Sequence, residues 1–171
     1  METQTVKKAS RPHEETGNKK SNILQPGKPD PALKHLEVFV GKWNTEGETT
    51  DDQSGAVKKI TGTSTTEWMD GGFFLIQRWD VRIGGEKNTG FEIIGYDTSS
   101  KAYISHYYHS IGLSQEYQLT VQGNTWRYKS DSERCKLVVS DDGNTLSAKW
   151  EKLNDDSKWV SFCEMKATRA R

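Results

Sequence analysis

The chain has 171 residues, 24 basic and 24 acidic side chains, six Trp, two Cys and 32% apolar residues. That length suits one domain able to bury a core without disulfide or metal staples. Zero formal net charge argues against a nucleic-acid partner, and no apolar run approaches the ~18 residues of a membrane span.

Residues 1–28 contain no aromatic, and their apolar residues are only Met1, Val6, Ala9, Ile23 and Leu24. Such a segment cannot offset its ordering entropy, so a disordered tail is expected over 1–28 and a single domain over 29–171. The opening METQTVKKAS lacks the apolar stretch of a secretory signal, which sets the expectation of a cytoplasmic protein. A short helix is predicted at 31–40. Asp30 can cap it, Pro31 suits its first position, and Leu33, Leu36 and Val40 share a face. Gly41 ends it, and His35 reads as solvated.

After Gly41, short β-branched and aromatic runs alternate with turn signals. These fall at 51–55, 70–72, 84–88, 97–100, 111–112, 123–124, 131–132, 142–143 and 155–156. Nine turns imply ten strands, the pattern of an all-β sandwich or barrel. Connections this short make sequence neighbours antiparallel neighbours in space.

Paired residue numbers in a hairpin sum to a constant, and paired side chains share a face. A tight turn at Gly71 and Gly72 pairs Asp70 with Phe73. It brings Trp68, Thr66 and Ser64 to the apolar face of Leu75, Gln77, Trp79 and Val81. A three-residue loop at 85–87 pairs Val81 with Phe91 and Trp79 with Ile93. The next turn pairs Ile93 with Ile104 and Phe91 with His106. A turn at Ile111 and Gly112 pairs His106 with Tyr117 and Ile104 with Leu119. The remaining turns pair Leu119 with Tyr128, Val121 with Trp126, Tyr128 with Cys135 and Trp126 with Leu137. They then pair Leu137 with Ala148, Cys135 with Trp150, Trp150 with Ser161 and Ala148 with Cys163. Val160 and Phe162 fall outside.

A meander with one wet face must deal with two open edges, and closure into a barrel removes them. The expected fold is therefore all-β: an antiparallel up-and-down barrel of about ten strands with one short N-terminal helix. Ten strands enclose more volume than the eight that side chains just fill. A cavity near one mouth is expected, with the helix covering the other end.

Several segments then carry a resemblance. They are the stretch from Leu36 to Val40 leading into Gly41-Lys42-Trp43, Gly71-Gly72-Phe73-Phe74-Leu75, Gly95-Tyr96-Asp97 followed by Tyr103, His109-Ser110-Ile111-Gly112, Asp141-Asp142-Gly143, and a last strand ending in Arg169. In their order and spacing they resemble the bacterial family named domain of unknown function fifteen-seventy-nine, a lipocalin-like, calycin-type barrel. His109 stands where the family pattern leads us to expect an acidic residue. The resemblance implies the barrel and a bacterial source, and it brings no activity with it.

The predicted interior mixes apolar walls (Trp43, Trp68, Leu75, Trp79, Ile104 and Trp150) with polar groups (Gln77, His106, Tyr108, Tyr117 and Tyr128). Mainly apolar walls with a few placed hydrogen-bonding groups describe a ligand site. The same set also describes an ordinary aromatic core whose polar tips bond to each other. The favoured reading is a barrel that binds a small, largely apolar molecule. A second is a small enzyme (isomerase, cyclase or hydrolase) with His106 and Tyr117 as an acid/base couple. A third is a self-associating module without ligand, a homodimer built on outward Tyr103 and Tyr107.

No cofactor is expected. Metal-ligand clusters and phosphate-binding loops are not visible in the sequence, and one candidate His among bulky Trp argues against haem. Cys135 and Cys163 are predicted two strand spacings apart, at least ~9 Å, beyond the ~7 Å that a disulfide spans. Two free, buried thiols point to a reducing compartment.

Overall fold

The computed structural model describes residues 27–171; apart from its last two residues, the tail expected at 1–28 lies outside them. A 3₁₀ helix at Pro31–Phe39 precedes ten strands. These are β1 (Gly41–Thr50), β2 (Val57–Trp68), β3 (Phe74–Ile83), β4 (Glu86–Asp97), β5 (Ala102–His109), β6 (Ser114–Gln122), β7 (Thr125–Lys129), β8 (Glu133–Val139), β9 (Thr145–Leu153) and β10 (Trp159–Arg169). They form one closed antiparallel barrel in which each strand pairs with its sequence neighbours and β1 seals against β10. Among the described residues, no helix is long and apolar enough to cross a membrane.

The helix begins where expected. The Asp30 side chain accepts from the Ala32 backbone N–H at 2.8 Å, and proline occupies the first turn. Its 3₁₀ geometry changes the buried face. With ~3 residues per turn, Leu33, Leu36 and Phe39 line up and are buried, whereas Val40 becomes the C-cap. This face closes one end of the barrel. The Phe39 ring lies 5.0 Å from that of Trp126, and the Tyr103 hydroxyl donates to the Ala32 carbonyl at 2.7 Å. His35 is exposed, with Nδ1 3.0 Å from the same hydroxyl.

Trp43 is the plug of that end. It is fully buried, its indole N–H donates to the Phe39 carbonyl at 2.8 Å, and the Arg169 guanidinium lies 4.3 Å over its ring. Arg169 also donates to the carbonyls of Val40 at 2.7 Å and Gly143 at 3.1 Å. First strand, last strand and helix are thereby tied together. Gly41 has a φ of 132°, a backbone conformation that residues with a Cβ rarely adopt, so glycine suits this junction.

The expected register holds between β2 and β3 and from β6 through β9. It fails at β4. The turn there has two residues, Gly84 and Gly85, with φ of 60° and 94°. Two positive φ angles in a two-residue hairpin are what a type I′ turn demands. Trp79 therefore meets Gly90 rather than Ile93, an odd shift that inverts the strand. Asn88, Gly90, Glu92 and Ile94 share the inner face with Trp79 and Val81, and Phe91 points out. β5 pairs Gly95 with Ile104, an even shift from the expected register, so it inverts with β4. Tyr103, Ser105, Tyr107 and His109 face in; Ile104, His106 and Tyr108 face out. A three-residue loop at 110–112, with Gly112 at φ 84°, then restores the phase, and Ser105 rather than His106 pairs with Tyr117.

A β-bulge between Ser161 and Cys163 sets Cys163, not Ser161, opposite Trp150. It brings Phe162, expected outside, to the interior together with Cys163. Cys135 and Cys163 flank Trp150 from β8 and β10, and both are free and buried. Burial pushes the Cys163 thiol up to about 11 and the Cys135 thiol well above its ordinary range. We therefore expect a thiol reagent near neutral pH to label the native protein far more slowly than the denatured chain. A rapidly labelled native cysteine would contradict this placement.

Candidate functional site

The helix fills one end of the barrel, and side chains do not fill the other. A cavity of about 340 Å³ remains in the interior and extends down to Phe39 of the helix. That lies within the ~300–1,000 Å³ common for small-molecule sites. Ile60, Val81, Ile83 and Ile94 form one apolar wall; Leu137, Leu146, Ala148, Trp150, Phe162 and Met165 form the opposite one. Thr45 and Thr49 of β1 and Ser64 and Thr66 of β2 add hydroxyls to the lining; its amide, carboxyl, imidazole and phenol groups are Gln77, Asn88, Glu92, Tyr107, His109 and Tyr117 on β3 to β6, continuing to Tyr128 and Glu133.

Of the site residues expected from sequence, Gln77, Trp79, Tyr117, Tyr128 and Trp150 line this cavity. Trp43 and Leu75 are fully buried but belong to the packed, helix-covered end. Trp68 is also at that end, where its indole N–H donates to Glu37 at 2.8 Å. Ile104, His106 and Tyr108 are corrected to the outer face by the inversion of β5. His106 is exposed and stands 3.5 Å from Glu116, and Tyr108 stacks on Phe91 at 5.0 Å. His106 and Tyr117 thus lie on opposite faces of the sheet and cannot form an acid/base couple. The same inversion carries Tyr103 and Tyr107 inside, so the outward surface expected of them for self-association does not exist.

Five aromatic rings form a continuous band around the cavity. Trp79 lies 5.1 Å from Tyr107, which meets Tyr117 edge-on at 5.8 Å. Tyr117 meets Trp150 at 5.3 Å and Tyr128 at 6.2 Å, and the last two are 5.8 Å apart. Gly90 makes room for the band, since a Cβ there would lie 2.2 Å from the Trp79 ring. The Trp79 N–H is held by Asn88 at 3.0 Å.

Glu92 is the acidic centre. It is 2% exposed and sits on β4 between Gln77 of β3 and Tyr107 of β5. Burial pushes its pKa up to about 7, against the opposing pull of the Ser105 and Tyr107 hydroxyls. The Ser105 hydroxyl donates to Glu92 Oε1, and the Tyr117 hydroxyl donates to Glu133. Burial raises the phenols of Tyr107, Tyr117 and Tyr128, which stay neutral. His109 is edge-on to Trp79 at 5.1 Å; burial lowers its pKa, and its Nδ1 is buried without a hydrogen-bond partner among the described residues. Asn88, Glu92, Tyr107, His109 and Glu133 were not anticipated as site residues. The adjacent glycines of the 84–85 turn, read as a type I′ hairpin, are the signal that reveals the first four of them.

The raised Glu92 pKa has a consequence for stability. A carboxyl with a folded pKa above its unfolded value stabilises the fold at low pH, and that contribution disappears as pH rises through the folded value. Glu92 thus contributes full stability below about pH 4.5 and loses it on passing about pH 7. Glu92→Gln is expected to abolish this slope and to gain about 3 kcal/mol relative to the parent at alkaline pH. Urea unfolding of both proteins at several pH values checks it; parallel profiles would contradict it.

A closed ten-stranded antiparallel barrel, sealed at one end by a helix and hollow at the other, defines the class of protein. The chain belongs to the family described as protein of unknown function (DUF1579), which matches residues 28–169. No curated protein matches it. Among solved structures it is similar to Rv2717c from M. tuberculosis, with 13% identity and a TM-score of 0.62, covering 84% of this chain and 100% of that one. It is also similar to the S-type phycobiliprotein lyase CPES from Guillardia theta, with 9% identity and a TM-score of 0.53, covering 82% and 93%. At these identities the likeness extends to the fold.

Proposed function

We propose that this protein binds a small, largely apolar molecule inside its barrel. The observation that carries the reading is the cavity itself: about 340 Å³ of space with a mainly apolar lining interrupted by a limited number of polar groups. Trp79, Trp150, Ile94 and Leu137 supply the apolar surface in this reading, and Gln77, Glu92, Tyr117 and Tyr128 orient the ligand. Trp43 and Leu75 support the site from the packed end. The two free, buried thiols favour a reducing setting, in keeping with a cytoplasmic location.

The test is a titration with N-phenyl-1-naphthylamine, a neutral apolar dye whose emission rises when it leaves water. Saturable binding of one dye per chain, reversed by tert-butylbenzene, is the expected result. An emission that climbs without saturating, or does not change at all, would refute the reading.

A further inference from the structure

Resting on that reading, we propose that the cavity selects an organic cation with apolar substituents, whose charge is held between the aromatic band and the Glu92 carboxylate. Three observations converge on this class. The rings of Trp79, Tyr107, Tyr117, Tyr128 and Trp150 follow one another at 5.1–6.2 Å along the lining of one cavity, where an electron-rich ring face attracts a quaternary or protonated amine. Neither lysine nor arginine lines the cavity among the described residues, so no resident cation competes for those rings. Glu92 is buried at the cavity wall, and hydroxyl groups rather than a basic side chain are its partners. A buried carboxylate without a countercharge is costly, and a cationic ligand supplies the missing partner. The apolar walls of Leu137, Ala148 and Met165 then receive the ligand's hydrocarbon part.

The electrostatics give the selection a pH signature. The titratable groups that act on or feel Glu92 are Tyr107 on β5, Tyr117 on β6, Tyr128 on β7 and Cys135 on β8, with uncharged Gln77 beside it on β3 and Ser105 on β5. Burial holds all four neutral near pH 7, which leaves Glu92 as the member of this set that ionises there. His109 and Glu133 share the cavity. His109 is neutral at that pH and becomes cationic only in more acidic solution, where it also disfavours a cation.

Three probes of nearly one shape separate charge from size: phenyltrimethylammonium, its carbon isostere tert-butylbenzene, and benzenesulfonate. Their affinities are read by quenching of tryptophan fluorescence. Phenyltrimethylammonium is expected to bind about tenfold tighter than tert-butylbenzene, with benzenesulfonate weakest. Glu92→Gln is expected to erase the cation's advantage, read as the ratio of the phenyltrimethylammonium and tert-butylbenzene affinities measured on the same variant. Equal affinity for cation and isostere in the parent, or tightest binding of benzenesulfonate, overturns the charge selection and leaves the apolar-ligand reading in place. Failure of all three probes to bind removes both. A cation advantage that survives Glu92→Gln overturns the role of this carboxyl. The unmodified chain provides an independent readout. Its affinity for phenyltrimethylammonium is expected to rise as pH climbs through about 7, while that for tert-butylbenzene stays level; a flat cation profile overturns the proposal.

Discussion

Trp43→Ala is expected to cost about 3–5 kcal/mol of folding stability, measured by urea denaturation. The indole is fully buried, and its N–H bond to Phe39 and the Arg169 guanidinium over its ring hold helix, β1 and β10 together. Truncation removes that apolar surface and leaves a void where the surrounding backbone is already tied by Arg169 to Val40 and Gly143. Collapse into the void is therefore restricted, which places the cost toward the upper end of the range for such substitutions. The Trp43 ring is not part of the cavity lining, which meets the helix at Phe39. Dye binding per folded molecule should consequently remain close to that of the parent. A stability loss under about 1 kcal/mol would show that Trp43 does not seal this end.

Ala148→Trp is the complementary change. Ala148 lies on β9 between Leu137 of β8 and Met165 of β10, and its side chain lines the cavity. Enlarging a residue in a filled core usually costs about 1–3 kcal/mol through strain. Here the added indole enters open space, so stability is expected to change by less than about 1 kcal/mol. The naphthylamine dye should lose at least about 100-fold in affinity, equivalent to roughly 2.7 kcal/mol of binding free energy. Undiminished binding would mean that the dye sits elsewhere on the protein. A large loss of stability without loss of binding would mean that the interior around Ala148 is solid.

The barrel was legible from sequence because its closure needs only turn positions and a repeating alternation. The tight turn at Gly71 and Gly72 and the run from Tyr117 to Ala148 carry that signal without ambiguity, and their registers match. The candidate site was half legible. Gln77, Trp79, Tyr117, Tyr128 and Trp150 lie on strands whose inner face is apolar or aromatic, so alternation places them correctly. β4 misleads because its inner face carries Asn88, Gly90 and Glu92, while its outer face carries Phe91 and Ile93. A cavity wall with polar groups to offer reads as a solvent face when hydropathy is the only criterion, and an outer aromatic pair such as Phe91 and Tyr108 reads as core. Function and pattern conflict on that strand, which is where such conflicts are expected. The turn chemistry was the better guide, since two adjacent glycines fit a two-residue type I′ hairpin without further assumption. The bulge at β10 and the 3₁₀ rather than α geometry of the helix leave no mark in the residue spacing that the sequence reading uses.

The most direct measurement follows the indole N–H resonances during titration with the neutral dye. Trp79 and Trp150 line the cavity, Trp43 lies in the sealed end, and Trp159 sits beneath Arg134 away from it. Large saturable shifts at Trp79 and Trp150, with Trp43 and Trp159 nearly unmoved, are the predicted result. Shifts confined to Trp159, or none at saturating dye, would contradict a hollow barrel that receives its ligand inside.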